Sequence, residues 1–299
     1  METKSGIETR GLTKFYGPVR GIEDLDLEVR RGEVFGFLGP NGSGKTTTIR
    51  LLLNLIQPTH GGGSVLGMDM VRDSLGVRRA CGVVAGEPAF YGSLTGRRHM
   101  DLIQSYHARG NSRAAELAEA LELNLDRPVR TYSRGMKQKL AIIQGMAHAP
   151  DVLIMDEPTL GLDPLVQQTF YRILAEERDR GVTVFLSSHI LSEVERACDR
   201  VAIVRDGRLA AVLDVGELHR HLVRRMDVTL ERDATADEFR LDEVEVVRIE
   251  GRHVELRVSG HVGELIRHLG TLPVQDVVFP EATLEDTFTA FYAGEEETS

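Results

Sequence analysis

The chain has 299 residues, room for one large domain and one small one, with 41% apolar and 27% charged side chains as in a folded globular protein. No stretch approaches the 18 uninterrupted apolar residues of a membrane-spanning helix. The net charge of −10 is uneven: residues 223–299 carry 18 acidic and 8 basic side chains against 28 of each in residues 1–222, and an acidic surface of this kind disfavours nucleic acid as a partner.

Met-Glu-Thr-Lys-Ser-Gly at the start holds no apolar signal core, so the chain is expected in the cytoplasm, with any membrane link made through a partner. Ile7 to Leu12 and Ile22 to Val29 read as strands. Glu33 to Leu38 reads as a buried strand and Thr47 to Leu55 as an apolar helix. Between them, Gly39-Pro40-Asn41-Gly42-Ser43-Gly44-Lys45-Thr46-Thr47 fits G-x-x-x-x-G-K-[ST], a loop that wraps the phosphates of ATP or GTP. Its glycines let successive N–H groups face phosphate oxygens at a helix N-terminus. Lys45 is placed to reach the β- and γ-phosphates, and Thr46 to offer a hydroxyl to Mg²⁺. Only 5 of the 36 basic residues are lysines, so a lysine at this one position carries weight.

Further on, Gly61 to Gly67 reads as a turn into a short strand, and Cys81 to Ala85 as a strand. Met100 to Leu123 reads as two helices parted near Gly110-Asn111-Ser112, with Ser112 as N-cap of the second. Ser133 to Ala147 is a helix, and Val152 to Met155 and Val182 to Ser187 are core strands. Pro164 opens a helix through Glu177. Val201 to Val204 and Leu209 to Leu213, split by Asp206-Gly207, form a hairpin. The two cysteines, Cys81 and Cys198, lie in apolar contexts and are expected buried and reduced. After residue 222 come a strand at Asp227 to Leu230, a helix at Ala234 to Arg240, and strands at Val244 to Ile249 and His253 to Val258. A helix at Val262 to Leu269 and a strand at Val274 to Phe279 complete a βαββαβ order, which suggests a ferredoxin-like domain. A helix at Leu284 to Tyr292 closes it, before a frayed end from Glu295 to Ser299.

Asp151-Val152-Leu153-Ile154-Met155-Asp156-Glu157 is the second chemical signal. A buried strand that ends in two acids beside a phosphate loop can hold one carboxylate, Asp156, toward Mg²⁺. Glu157, pointing another way, can polarise the attacking water.

Three further segments narrow the family. Tyr132-Ser133-Arg134-Gly135-Met136 resembles the L-S-G-G-Q signature of ATP-binding-cassette (ABC) proteins: Ser133 and Gly135 match, while Tyr132, Arg134 and Met136 do not. Gly161-Leu162-Asp163 resembles the family's D-loop and Ser187-Ser188-His189 its switch histidine. Tyr16 stands where the family stacks an aromatic ring on adenine. The resemblance covers most of residues 7–215 and implies an α/β fold. That fold is a P-loop NTPase ABC cassette with a RecA-like core, an antiparallel β subdomain and a helical subdomain near residues 88–148. Residues 1–222 would form the cassette and 223–299 a small α+β ferredoxin-like domain for dimerisation or regulation. It also implies a head-to-tail dimer in which one subunit supplies the phosphate loop, Asp156, Glu157 and His189, and the other supplies Ser133 and Gly135; Asp163 of the D-loop is counted among the nucleotide-binding residues. One position departs: where the family's Q-loop has Gln, this chain has Gly86, with Glu87 or a water as a substitute and Phe90 and Tyr91 as nearby candidates for contact with a membrane subunit.

The signature variant, the Glu-Pro-Ala-Phe-Tyr stretch and the acidic extension are similar to one branch of the family. There the ATPase works with a separate integral membrane permease at the cytoplasmic face of the plasma membrane and exports drugs, antibiotics, lipids or polysaccharides. The alternatives are a soluble ABC ATPase acting on ribosomes or DNA, and a binding module made weakly catalytic by Gly86. The sequence holds a single phosphate loop and no heptad run, which favours the exporter subunit over the ribosomal reading.

Overall fold

A computed structural model describes residues 5–106, 113–217, 223–259 and 262–280. The chain divides into two compact units, Met1–His189 with Glu193–Val212 and Ile190–Ser192 with Leu213–Ser299, and the second unit's main stretch starts ahead of residue 223. The charge imbalance that marks the boundary in sequence begins later than the strand with which the first unit's sheet ends.

In the first unit, β1 (Ser5–Tyr16) and β2 (Val19–Arg30) form a long hairpin. β1 also pairs with β4 (His60–Val65), which pairs with β5 (Met68–Asp69), giving the antiparallel order β2-β1-β4-β5. The turn expected at Gly61 to Gly67 is therefore mostly strand. Its glycines permit close backbone approach: a Cβ on Gly63 would lie 2.5 Å from the Glu8 carbonyl oxygen, and one on Gly61 2.1 Å from that of Gly11.

The second sheet builds the core. β3 (Val34–Leu38), β6 (Cys81–Val84), β7 (Val152–Asp156), β8 (Thr183–Ser188) and β9 (Arg200–Arg205) run parallel, with β10 (Arg208–Asp214) at the edge, in the order β10-β9-β3-β8-β7-β6. β3, β7 and β8 are buried at every position, as sheets covered on both faces require. Asp206 and Gly207 both take positive φ (49° and 77°), the turn that matches strand twist in a two-residue hairpin.

Helices cover both faces: α1 (Lys45–Leu52), α2 (Ser74–Ala80), α3 (Gly96–Gln104), α4 (Ala114–Ala120), α5 (Arg134–Met146), α6 (Pro164–Asp179) and α7 (Leu191–Ala197). Met100 of α3, Leu117 of α4 and Leu140 and Ile143 of α5 share one apolar cluster with Phe170 of α6. Arg113, not a serine, occupies the N-cap position of α4, and Ser112 lies outside the described residues. Arg113 pairs with the buried Glu177 of α6, so a charged link ties α4 to the core. Cys81 and Cys198 are free thiols, and burial raises both pKa values, that of Cys81 to about 12.

α5 meets β6 backbone to backbone. A Cβ on Gly82 would lie 1.9 Å from the Gly145 carbonyl oxygen. Gly82→Ala is expected to destabilise the chain by about 1–3 kcal/mol through overpacking, read as a lower urea midpoint; an unchanged midpoint refutes this.

The second unit contains β11 (Val223–Leu230), β12 (Val244–Glu250), β13 (His253–Ser259), α8 (Gly263–Leu269) and β14 (Val274–Val278). The sheet is antiparallel in the order β12-β13-β11-β14, the ferredoxin-like order read from the sequence. Met226, Val228, Leu230, Val254, Leu256 and Val258 fill its core with Leu265 and Leu269 of α8. The helix expected at Ala234 to Arg240 is a single 3₁₀ turn, Ala236–Phe239, opened by a Thr235/Glu238 capping box. Its hydrogen bond from Arg232, with two from Thr235, holds the Glu238 carboxyl down to about 2. The expected helix at Leu284 to Tyr292 and the end from Glu295 to Ser299 lie outside the described residues.

Candidate nucleotide site

The phosphate loop joins β3 to α1 as the apolar pattern requires. Gly44, at φ 101°, caps α1 with no side-chain hydrogen bond, so the first-turn N–H groups face outward without a side-chain acceptor. A Cβ on Gly44 would lie 2.5 Å from Ile22 Cγ2, and one on Gly39 2.3 Å from the Val204 carbonyl oxygen. Glycine is thus forced at Gly39 by the neighbouring backbone, and at Gly44 by its positive φ together with the Ile22 side chain and the Gly21 carbonyl oxygen, 2.6 Å from such a Cβ. Ser43 is buried, and its Oγ has no hydrogen-bond partner.

Lys45 is 6% exposed. Its ammonium donates to the carbonyl oxygens of Gly39 (2.7 Å) and Pro40 (3.2 Å) and stands 3.3 Å from Glu157 Oε1. Thr46 Oγ1 donates to Asp156 Oδ2 at 2.8 Å, and Ser187 Oγ donates to Asp156 Oδ1 at 2.6 Å. Glu157 takes φ 48°, rare for a residue with a side chain, and this turns it away from Asp156. Its N–H donates to the carbonyl and the hydroxyl of Ser187, both at 3.2 Å. Glu157 Oε2 meets His189 Nδ1 at 2.8 Å. A carboxylate only accepts, so the proton of that bond lies on Nδ1.

Tyr16, Asn41, Gly42, Gly44, Lys45, Thr46 and Thr47 line one cleft of about 710 Å³ with Asp156 and Glu157. Tyr16 is 44% exposed, and the Lys14 ammonium stands 5.4 Å from its ring centroid. Gly86 and Glu87 line the same cleft, and a Cβ on Gly86 would lie 3.2 Å from the Asp156 carbonyl oxygen. Ser133, Gly135 and Asp163 do not line it. Ser133 caps α5 through a hydrogen bond from Met136 N, and Asp163 caps α6 through one from Val166 N. Gly135 meets the D-loop: a Cβ there would lie 2.6 Å from the Gly161 carbonyl oxygen.

The oxygen donors suit Mg²⁺: one hydroxyl and one carboxylate converge beside the phosphate loop. No cluster of three or more His, Cys, Asp or Glu residues that could hold a metal occurs among the described residues. Mg²⁺ is usually held by one or two carboxylates, substrate phosphates and waters, so the site fits it.

Four supporting residues carry no motif role in sequence. Ser187 and Ser188 stand there only as the approach to His189, yet Ser187 holds both acids. Gln138, 3% exposed, donates to the Pro158 carbonyl oxygen at 3.0 Å, and Glu193 bonds both Thr159 and Ser188. A polar residue amid the apolar face of α5 was the one available signal for Gln138.

An ABC transporter family model matches residues 22–160, which contain the phosphate loop and both acids. The bacitracin transport ATP-binding protein BcrA of Bacillus licheniformis is 32% identical over 304 residues, covering 96% of this chain and 97% of that one. The daunorubicin/doxorubicin resistance ATP-binding protein DrrA of Streptomyces peucetius is 40% identical, covering 71% of this chain and 66% of that one. A solved structure of an ATP-binding subunit of an ABC transporter aligns with a TM-score of 0.67 at 30% identity, over 72% of this chain and 92% of that one. The fold is also shared with a dimeric ATP-binding cassette bound to ADP and Pi (TM-score 0.65, 22% identity, 70% and 98% covered). A phosphate loop, a paired Asp156 and Glu157, a histidine on Glu157 and a full-length match to a transport ATPase agree: the chain belongs to the ABC transporter family, as an ATP-binding subunit that hydrolyses ATP.

Proposed function

We propose that this chain powers a bacterial exporter of a drug or antibiotic, with lipid or polysaccharide as other cargo. It works as a head-to-tail dimer under a separate membrane permease at the cytoplasmic face of the plasma membrane. The full-length similarity to a bacitracin transport protein, running through both units, carries the reading. No helix among the described residues is long and apolar enough to cross a membrane, in keeping with a separate permease. The position of Ser133 and Gly135 outside the cleft of their own chain supports a site completed by a second copy. Residues 1–222 act as the cassette, with 88–148 as its helical subdomain and 223–299 as a dimerisation or regulatory element.

The polar contacts support the following order of events. Glu157 Oε1 faces Lys45 and Oε2 faces His189. A triphosphate offers Lys45 stronger oxygen partners and draws the ammonium off Glu157. Glu157 Oε1 is then free to accept a proton from the attacking water, while His189 Nδ1 holds the other oxygen and fixes its aim. Thr46 and Asp156 would hold Mg²⁺, which when bound would supply positive charge against the triphosphate. Tyr16 stacks on the base. Negative charge shared between the phosphate loop of one copy and the α5 N-terminus of the other holds the dimer, and loss of the γ-phosphate loosens it.

Affinity purification of the tagged chain from detergent-solubilised cells tests the reading. Co-purification of a polytopic membrane protein is the expected result; recovery with ribosomes or DNA alone would reject it.

A further inference from the structure

We infer that Glu193 is a positioning residue for hydrolysis: it clamps the segment that follows Glu157 to the strand end that precedes His189. The inference rests on the roles proposed above for Glu157 and His189.

Glu193 lies in the first turn of α7 and is 6% exposed. Its Oε1 accepts from Thr159 Oγ1 at 2.5 Å and its Oε2 from Ser188 Oγ at 2.6 Å. Both hydroxyl residues are buried. Thr159 comes two residues after Glu157, and Ser188 immediately precedes His189. Glu157 and His189 therefore stand on two separate chain segments, at the ends of β7 and β8. Their side chains touch at one hydrogen bond. Beyond the strand pairing and the Ser187 contacts, a planar carboxylate adds a link between side chains of the same two segments. Hydroxyl donors rotate freely, but the two acceptor oxygens of a carboxylate keep a fixed separation, so Glu193 sets the spacing.

A buried carboxylate is costly to desolvate, and both of these donors are neutral hydroxyls. Packing alone gives no reason for an acid here. The backbone at Glu157 gives one. A left-handed φ on a residue with a side chain persists only where its surroundings impose it. The turn after Glu157 is fastened by Leu160 N to the Glu157 carbonyl (3.2 Å) and Leu162 N to that of Thr159 (3.0 Å). Thr159 is the point at which α7 grips this turn. Release of the grip lets Glu157 and His189 drift apart, and a misplacement of about 1 Å costs up to about 10²-fold in rate.

Single-turnover hydrolysis of radiolabelled ATP by excess full-length chain tests this. Glu193→Ala and Thr159→Val are expected to slow the chemical step about tenfold or more, with the ATP dissociation constant changed by less than about twofold, because the phosphate loop is untouched. Glu193→Gln keeps one acceptor oxygen and can donate to Ser188, and Thr159→Ser keeps the hydroxyl. Both should retain at least about half the wild-type rate. Wild-type rates in Glu193→Ala and Thr159→Val overturn the inference. So does an equal fall in rate and ATP affinity that the conservative variants fail to rescue, which marks general damage to the fold. Glu157→Gln, run in parallel, separates the two readings. If it is slow while the clamp variants are normal, only the clamp is lost. If it hydrolyses normally, the roles of Glu157 and His189 fall and the clamp falls with them.

Discussion

Glu157→Gln is expected to lower ATP turnover at least about 10²-fold while changing MgATP affinity by less than about threefold. An amide keeps the shape of the side chain and can still accept from His189 Nδ1, but it cannot take a proton from water. The P-loop contacts that bind the triphosphate in its ground state are not altered, so binding survives. Lys45 loses its carboxylate partner in this variant, which leaves the ammonium freer to meet phosphate. With hydrolysis blocked, the bridging γ-phosphate stays in place. The variant should then run as a dimer by size-exclusion with light scattering in saturating MgATP and as a monomer in MgADP. Wild-type turnover would remove Glu157 from the role of base; a monomer in MgATP, with the membrane partner present, would remove the nucleotide-bridged dimer.

Lys45→Ala should abolish tight nucleotide binding. The ammonium is 6% exposed and poised on carbonyl oxygens at the loop, so its charge-assisted bonds to phosphate form in a partly desolvated place. Loss of one such bond costs about 1.5–3 kcal/mol, or roughly 10–10²-fold in affinity, and Lys45 reaches more than one phosphate oxygen. The substitution also leaves Glu157 Oε1 buried without its cation, an added cost to the empty chain. Titration with a fluorescent ATP analogue checks the affinity, and a thermal melt without nucleotide checks the fold. Wild-type affinity in Lys45→Ala would show that the loop binds phosphate through backbone alone. Chelation of Mg²⁺ is expected to stop turnover while leaving part of the binding, since on the proposed reading Thr46 and Asp156 would act through the metal and Lys45 would not.

The chemistry of the site was legible because it is written in contiguous residues. A loop of four positions between Gly39 and Gly44 has few other uses when lysine follows, and an apolar strand that ends in two acids announces both. Tyr16, Asp156, Glu157 and the loop meet in one cleft, as that spacing requires. The clamp and Gln138 were not legible, since each joins residues 5 to 34 apart through single polar side chains without periodic signature. Local chemistry also misled where tertiary packing prevailed. Gly61 to Gly67 reads as a turn into a strand, but Gly61 to Gly63 are already strand, and the backbone of β1 lies so near Gly61 and Gly63 that only glycine fits at those two positions. The helix read over Ala234 to Arg240 is only a 3₁₀ turn at Ala236–Phe239, and Glu243, at φ 64°, stands directly before β12.

The sequence by itself determined the phosphate-loop motif and its two acids, the parallel strands that carry them and the order of the four strands of the second unit, with a 3₁₀ turn in place of its first helix. These depend on short-range periodicity and on backbone freedom at particular glycines, which neighbouring residues encode. Only the tertiary structure decided how Glu157 is held. Its left-handed backbone, the Ser187 contacts beneath it and the carboxylate of Glu193 come from three segments brought together by the sheet. No single stretch of chain contains the distances that fix a reacting group.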